Sequence, residues 1–201
     1  MRRRVAHRHA VALPSLPYGA ACVPVGQGLA AKGLDLVAAC EGRAYEGRQV
    51  SMTAADLLTF MREHRFAVQA SVSPTGAAQA AVVGFVVTDD FEVFFDTSDT
   101  SRKVNNFRRN PQVALVIGGT TVGDERSVQY EGTVDEPTGL ELRRLKELYF
   151  ESFPDGRERE AWPSITYIRA RPRWIRYTDF NREPPETIEF HVAELGVDES
   201  G

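Results

Sequence analysis

Thr97, Ser98, Thr100 and Ser101 crowd their hydroxyls into five positions, and Arg102 and Lys103 follow at once. Hydroxyls beside two cations, at the start of a predicted short helix, are the parts of a phosphate grip. The first turn of a helix leaves N–H groups unpaired and carries a partial positive charge. Basic residues there oppose the dipole, and a phosphate seated on top neutralises both. Asp96 and Asp99 reduce the local charge, which favours a selective site over a sticky one. A blander reading competes: Ser101 is a plain N-cap, and Arg102 and Lys103 are solvated surface. For an isolated Ser-Arg-Lys tripeptide the bland reading is the stronger one. The flanks change the balance. An apolar strand ending Phe94-Phe95-Asp96-Thr97 precedes the loop. A helix from Arg102 to Arg109, stopped by Asn110-Pro111, follows it, and then another strand.

The elements that must position this loop are legible on both sides. Thr53 and Asp56 form a capping-box pattern, and Leu57, Leu58 and Met61 give the ensuing helix an apolar face. Residues 66–72 are rich in strand formers, and Ser73-Pro74-Thr75-Gly76 is a turn. Residues 79–87 read as a second strand, so apolar that burial on both faces is expected. Residues 91–96, 113–117 and 127–134 read as further strands. Thr138 and Glu141 repeat the capping pattern before a long helix with Leu142, Leu145, Leu148 and Tyr149 on one stripe. Residues 165–171 and 174–177 read as the last strands. Short strands with tight turns and inserted helices predict an antiparallel, mainly β fold with flanking helices, a small Greek-key-like barrel. A parallel sheet needs a longer crossover after nearly every strand.

The chain has 201 residues, enough for one good-sized domain with a tail. Its net charge of -4 is unevenly spread. Residues 1–51 carry about +4 and residues 52–201 about -8. So acidic a body is a poor general nucleic-acid binder, and any anion site must be local. No apolar run is long enough for a membrane helix. Cys22 and Cys40, the two cysteines, lie in the first fifty residues, which fits a reducing cytoplasm. Residues 1–51 sustain no period and are expected to be a disordered extension. Met52, just before the first clean helix pattern, is a candidate start of translation. Residues 52–190 form the expected domain and 191–201 a polar tail. His7, His9 and His191 fall in tails, so no metal site is expected. His64, beside Arg62 and Arg65, reads as a favourable charge at a helix end.

The loop and its flanks, together with Ala67-Val68-Gln69-Ala70-Ser71-Val72, the Pro74-Thr75-Gly76 turn and Val128-Gln129-Tyr130-Glu131-Gly132-Thr133-Val134, resemble the pyridoxamine 5′-phosphate oxidase-like family of FMN-binding split β-barrels. The resemblance covers roughly residues 53–180. It implies that Thr97, Ser101, Arg102 and Lys103 hold the FMN phosphate and ribityl chain. It implies that the second strand, around Val82 and Val83, runs beside the flavin ring, largely through backbone. It implies a homodimer in which Ser127, Gln129, Trp174 and Arg176 complete the site from the partner chain. The true oxidase has a basic residue early in the second strand and a lysine at its end. Ala81 and Val86 stand there in this chain. The oxidase's C-terminal Arg-x-His pattern is also replaced, by Trp174-Ile175-Arg176-Tyr177. These departures argue against vitamin B6 oxidation.

The function implied by the resemblance is FMN-dependent oxidoreduction of a small substrate, with no side chain named as catalytic. Two alternatives remain open: a module that holds flavin or haem without turnover, and a reductase using a deazaflavin coenzyme.

Overall fold

The computed structural model describes residues 52–191 and residue 195. The expectations for residues 1–51, the two cysteines included, lie outside the described residues, as does nearly all of the tail. Helix α1, Ala54–Glu63, starts as its sequence demands. Thr53 Oγ1 accepts a hydrogen bond from the Asp56 N–H at 3.2 Å, and the Asp56 carboxylate accepts from the Thr53 N–H at 3.0 Å. These bonds hold the Asp56 carboxyl below its ordinary pKa. Leu57, Phe60 and Met61 form the buried stripe of the helix.

Strands β1 (Phe66–Val72), β2 (Ala78–Gly84), β3 (Val86–Val87) and β4 (Val93–Ser98) precede the short helix α2 (Arg102–Phe107). Strands β5 (Gln112–Gly118) and β6 (Arg126–Asp135) come next, then helices α3 (Gly139–Ser152) and α4 (Gly156–Arg159). The described chain closes with β7 (Ile165–Asp179) and β8 (Glu186–His191). The strands form one antiparallel sheet in the order β2-β1-β5-β6-β7-β4-β3, with β8 also paired to β7. The sheet curls round a core that includes Leu57, Phe95, Leu115, Ile117 and Tyr130. A second apolar cluster lies on the other face of β4, where Phe94 meets Tyr149, Phe150 and Tyr167. The strand pattern predicts a small antiparallel barrel with flanking helices, and the architecture is such a barrel in the split form that the resemblance implies.

Strand β7 organises the sheet. Its first half pairs with β4, from Ile165↔Ser98 to Ala170↔Val93. Its second half pairs with β8 from Trp174 to Asp179, while β6 runs along its other edge. The sequence suggests two strands here because Pro172 interrupts the run. The structure has one strand with a bulge: Glu131 faces Trp174 but Gly132 faces Pro172. A proline is tolerated at a bulge, where the ladder is already broken.

Three further expectations are corrected. The apolar run 79–87 divides into β2 and β3, because the Phe85 N–H leaves the ladder and donates to the Arg65 carbonyl. β2 is not buried on both faces: it is the sheet's edge, and Val82 is 65% exposed. The second capping pattern does not cap, since Thr138 makes no side-chain cap bond and Glu141 binds Arg144 and Arg169 instead. The expected start of the tail at residue 191 also shifts, because His191 is the last residue of strand β8.

Gly132 is required by the close approach at the bulge. A Cβ there would lie 2.1 Å from the Arg171 carbonyl oxygen. Gly132→Ala should cost about 1–3 kcal/mol. Thermal unfolding should register roughly 2–4 °C lost per kcal/mol.

Candidate functional site: a phosphate-sized cleft at the barrel mouth

The side chains of β1 alternate with most of the apolar ones on the outside. Phe66, Val68 and Val72 face outward, with Phe66 61% exposed. Ala67, Gln69 and Ser71 face inward and are buried, Gln69 being only 1% exposed. Along the inner face the lining changes from apolar Ala67 and Val83 to polar Gln69, Ser71 and Gln79. Helix α2 packs over this polar end. Its buried Asn106 donates through Nδ2 to Ser71 Oγ at 3.0 Å and to Gln79 Oε1 at 3.1 Å.

Between this polar wall and the start of α2 lies a cleft of about 190 Å³. Gln69, Ser71, Gln79, Ala80 and Ala81 line one side, and Arg102 and Lys103 the other. Arg102 is exposed and, among the described residues, makes no hydrogen bond or ion pair. Lys103 is half-buried. Its Nζ donates to Thr97 Oγ1 at 3.2 Å, and no carboxylate pairs with it among the described residues. Desolvation holds the ammonium below its ordinary pKa of 10.5. Two cations thus face one cleft without an internal counter-ion.

The expected loop residues take distinct parts. Ser101 does cap α2, accepting from the Val104 N–H at 3.5 Å, so the blander reading holds for this residue. It fails for Lys103, which turns back onto Thr97. Asp96 does not dilute the charge of the cleft. It faces the other way, bound by Tyr149 at 2.8 Å and by Arg159 at 2.7 Å. Val83 packs in the core and Val82 faces outward, so only their backbone could border a ligand on the inner side.

Gln129, Trp174 and Arg176 come together elsewhere, on the outer face of β6 and β7. Arg176 donates to Gln129 Oε1 and lies 5.2 Å above the Trp174 ring. Ser127 is half-buried on the same face of β6. None of the four lines the cleft. They share a face with apolar rows in register: Val82, Val68 and Val116 in one, Ala80, Ala70 and Ala114 in the next. His64 caps α1 with Nδ1 2.8 Å from the Phe60 carbonyl, as a helix-end residue should. Among the described residues no cluster of metal-ligating side chains exists, and no helix is long and apolar enough to cross a membrane.

Gln69, Ser71, Gln79 and Asn106 are the site residues that the sequence does not announce. The alternation of polar and apolar residues in β1 does not by itself say which set faces inward.

The sign of the Lys103 shift predicts its effect on stability. A lysine with a lowered folded pKa destabilises the ligand-free protein while charged, and this cost disappears as pH rises to about 10.5. Lys103→Met should therefore stabilise the ligand-free chain at pH 7. The gain should shrink between the lowered pKa and pH 10.5, which urea unfolding at pH 7 and pH 10.5 would reveal.

Comparison with known proteins bears on the fold and the family. No curated protein matches the sequence. Among solved structures, a haem-binding protein of Mycobacterium smegmatis superposes with a TM-score of 0.63 at 14% identity, over 73% of this chain and 61% of that one. The chain thus spans under two thirds of that protein's length. General stress protein 26 of Bacillus anthracis gives a TM-score of 0.53 at 22% identity, over 68% and 98%. A pyridoxamine 5′-phosphate oxidase-related, FMN-binding protein of Nostoc punctiforme gives 0.51 at 13%, over 69% and 86%. At such identities the likeness is one of fold. The model of the pyridoxamine 5′-phosphate oxidase family matches residues 54–179, from the capped start of α1 to the end of β7, and the chain belongs to that family.

Proposed function

We propose that this protein binds FMN in the cleft at the start of α2, with the phosphate held by Arg102 and Lys103. The carrying observation is the pair of cations facing one cleft with no carboxylate partner among the described residues. A phosphate supplies the missing charge and accepts from both side chains. Haem fits this cleft less well. Its iron takes His, Cys, Met or Tyr ligands, and none of these lines the cleft. A deazaflavin coenzyme shares the ribityl phosphate but carries a larger acidic tail, which two cations serve less well than FMN.

The flavin ring, when bound, supplies hydride and electron transfer. The chain's own residues bind and orient it. Lys103 and Arg102 fix the phosphate, Thr97 directs Lys103, and Asn106 holds the polar wall in place. The cleft lining includes no carboxylate or histidine that could act as acid or base. Oxidoreduction of a small substrate would therefore rest on the ring and on how it is presented. The same lining favours a second reading, a flavin-holding module without turnover.

The cleft is also small for a complete ligand site, since such pockets run to about 300–1,000 Å³. The apolar rows across β2, β1 and β5 supply a surface for a second copy in a symmetric homodimer. Ser127, Gln129, Trp174 and Arg176, on the same face, would complete the partner's site.

Three experiments test these readings. The purified full chain should quench FMN fluorescence and carry a two-band flavin spectrum. Arg102→Ala and Lys103→Ala should each weaken FMN roughly 10- to 100-fold. Unchanged FMN affinity in both variants would place the phosphate elsewhere. Bound flavin that no nicotinamide coenzyme reduces and no acceptor reoxidises would select the module over the enzyme. In sedimentation, the chain should run as a dimer and Val116→Glu as a monomer. A wild-type monomer at micromolar concentration would remove the shared site.

A further inference from the structure

Gln69 is the buried polar side chain that a phosphate grip leaves unexplained. It borders the same cleft as Arg102 and Lys103, yet its Oε1 is buried without a hydrogen-bond partner. Its neighbours on the polar wall differ, because Ser71 and Gln79 both receive hydrogen bonds from Asn106. Folding alone does not favour such a residue. An unsatisfied buried acceptor is destabilising, and an apolar side chain of the same shape would not be. The terminal torsion of glutamine is soft, so the amide can turn toward an occupant of the cleft.

We propose that Gln69 accepts a hydrogen bond from a hydroxyl of the sugar-alcohol chain next to the phosphate, so that the site selects a phosphorylated polyol over a bare anion. This rests on the reading of the cleft as a flavin phosphate site. The lining points to that chain. Gln69 shares the cleft with Arg102 and Lys103, so a phosphate gripped by the two cations brings its adjoining chain, not the distant ring, against Gln69. The wall supplies an acceptor there, and a hydroxyl is a donor. Phosphate oxygens, being acceptors, cannot satisfy it. FMN and a deazaflavin coenzyme present the same polyol phosphate, so Gln69 serves either one.

The test compares the full-length wild type with Gln69→Met, which keeps the length of the side chain, and with Gln69→Leu. FMN and a deazaflavin coenzyme are titrated by fluorescence, inorganic phosphate is titrated as a competitor, and the ligand-free proteins are melted. The expected result is a roughly tenfold loss of affinity for the coenzyme that the wild type binds. Inhibition by inorganic phosphate should be unchanged, and the ligand-free melting temperature should rise by roughly 2–4 °C. Equal losses for coenzyme and inorganic phosphate would overturn the proposal, because Gln69 would then act only through the phosphate grip. Unchanged coenzyme affinity in a folded variant would overturn it as well. A wild type that binds neither coenzyme would instead bring down the flavin reading on which the proposal rests.

Discussion

The register of β1 is the constraint on which the rest depends. Its residues pair one-for-one with β2 from Phe66↔Gly84 to Val72↔Ala78, and with β5 from Ala67↔Ile117 to Ala70↔Ala114. A slip of one residue would exchange the two faces. The observed register sends Gln69 and Ser71 inward and Val68 and Val72 outward. Taken alone, the chain therefore has a polar patch inside the curl and an apolar stripe outside it. Each is unfavourable for an isolated barrel. Both become reasonable if the inside meets a polar ligand and the outside meets another apolar surface.

The scaffold tolerates this inversion because its other contacts are conventional and dense. Tyr130 is fully buried, and its hydroxyl donates to the Ala170 carbonyl at 2.8 Å. Near the bulge, Arg169 is buried among carboxylates, 2.7 Å from Asp135, 3.1 Å from Glu141 and 3.4 Å from Glu92. Burial raises the pKa of Glu92 despite Arg169 and Arg171; burial pushes Asp135 the same way, but hydrogen bonds and charge from Arg169 and Arg171 outweigh it and hold Asp135 low. This network joins the start of β4, the end of β6 and the middle of β7. Its contribution to net stability is limited, because buried ion pairs forfeit much hydration.

Much of this was legible in the sequence. β1 runs over the residues its composition indicates, and the Thr53–Asp56 box forms bond for bond. The hydroxyl-rich loop does precede a helix, with its two cations beside one cleft. The losses have physical causes. β8 alternates Glu186, Ile188 and Phe190 with other polar residues, and only Phe190 is buried, so this edge strand has too weak a sequence pattern to be picked out. Val82 reads as core because nothing local marks β2 as an edge. Gln69 goes unmarked because binary patterning assumes that interiors are apolar, and the mouth of this barrel is not.

The end-to-end sharing of one edge of β7 by β4 and β8 has a consequence for how the chain is made. Synthesis is vectorial, and domains take shape as the chain emerges. β1, β2, β5 and β6 can assemble from neighbouring segments soon after they leave the ribosome. β4, with Phe94 and Phe95 on its two faces, finds its long partner only when residues 165–170 appear. Until then the nascent chain exposes a strand edge rich in phenylalanine, the kind of surface that invites pairing with other chains. The two-residue β3 hairpin and the α3 stripe of Leu145, Tyr149 and Phe150 are available earlier, and they can shield that strand while translation catches up.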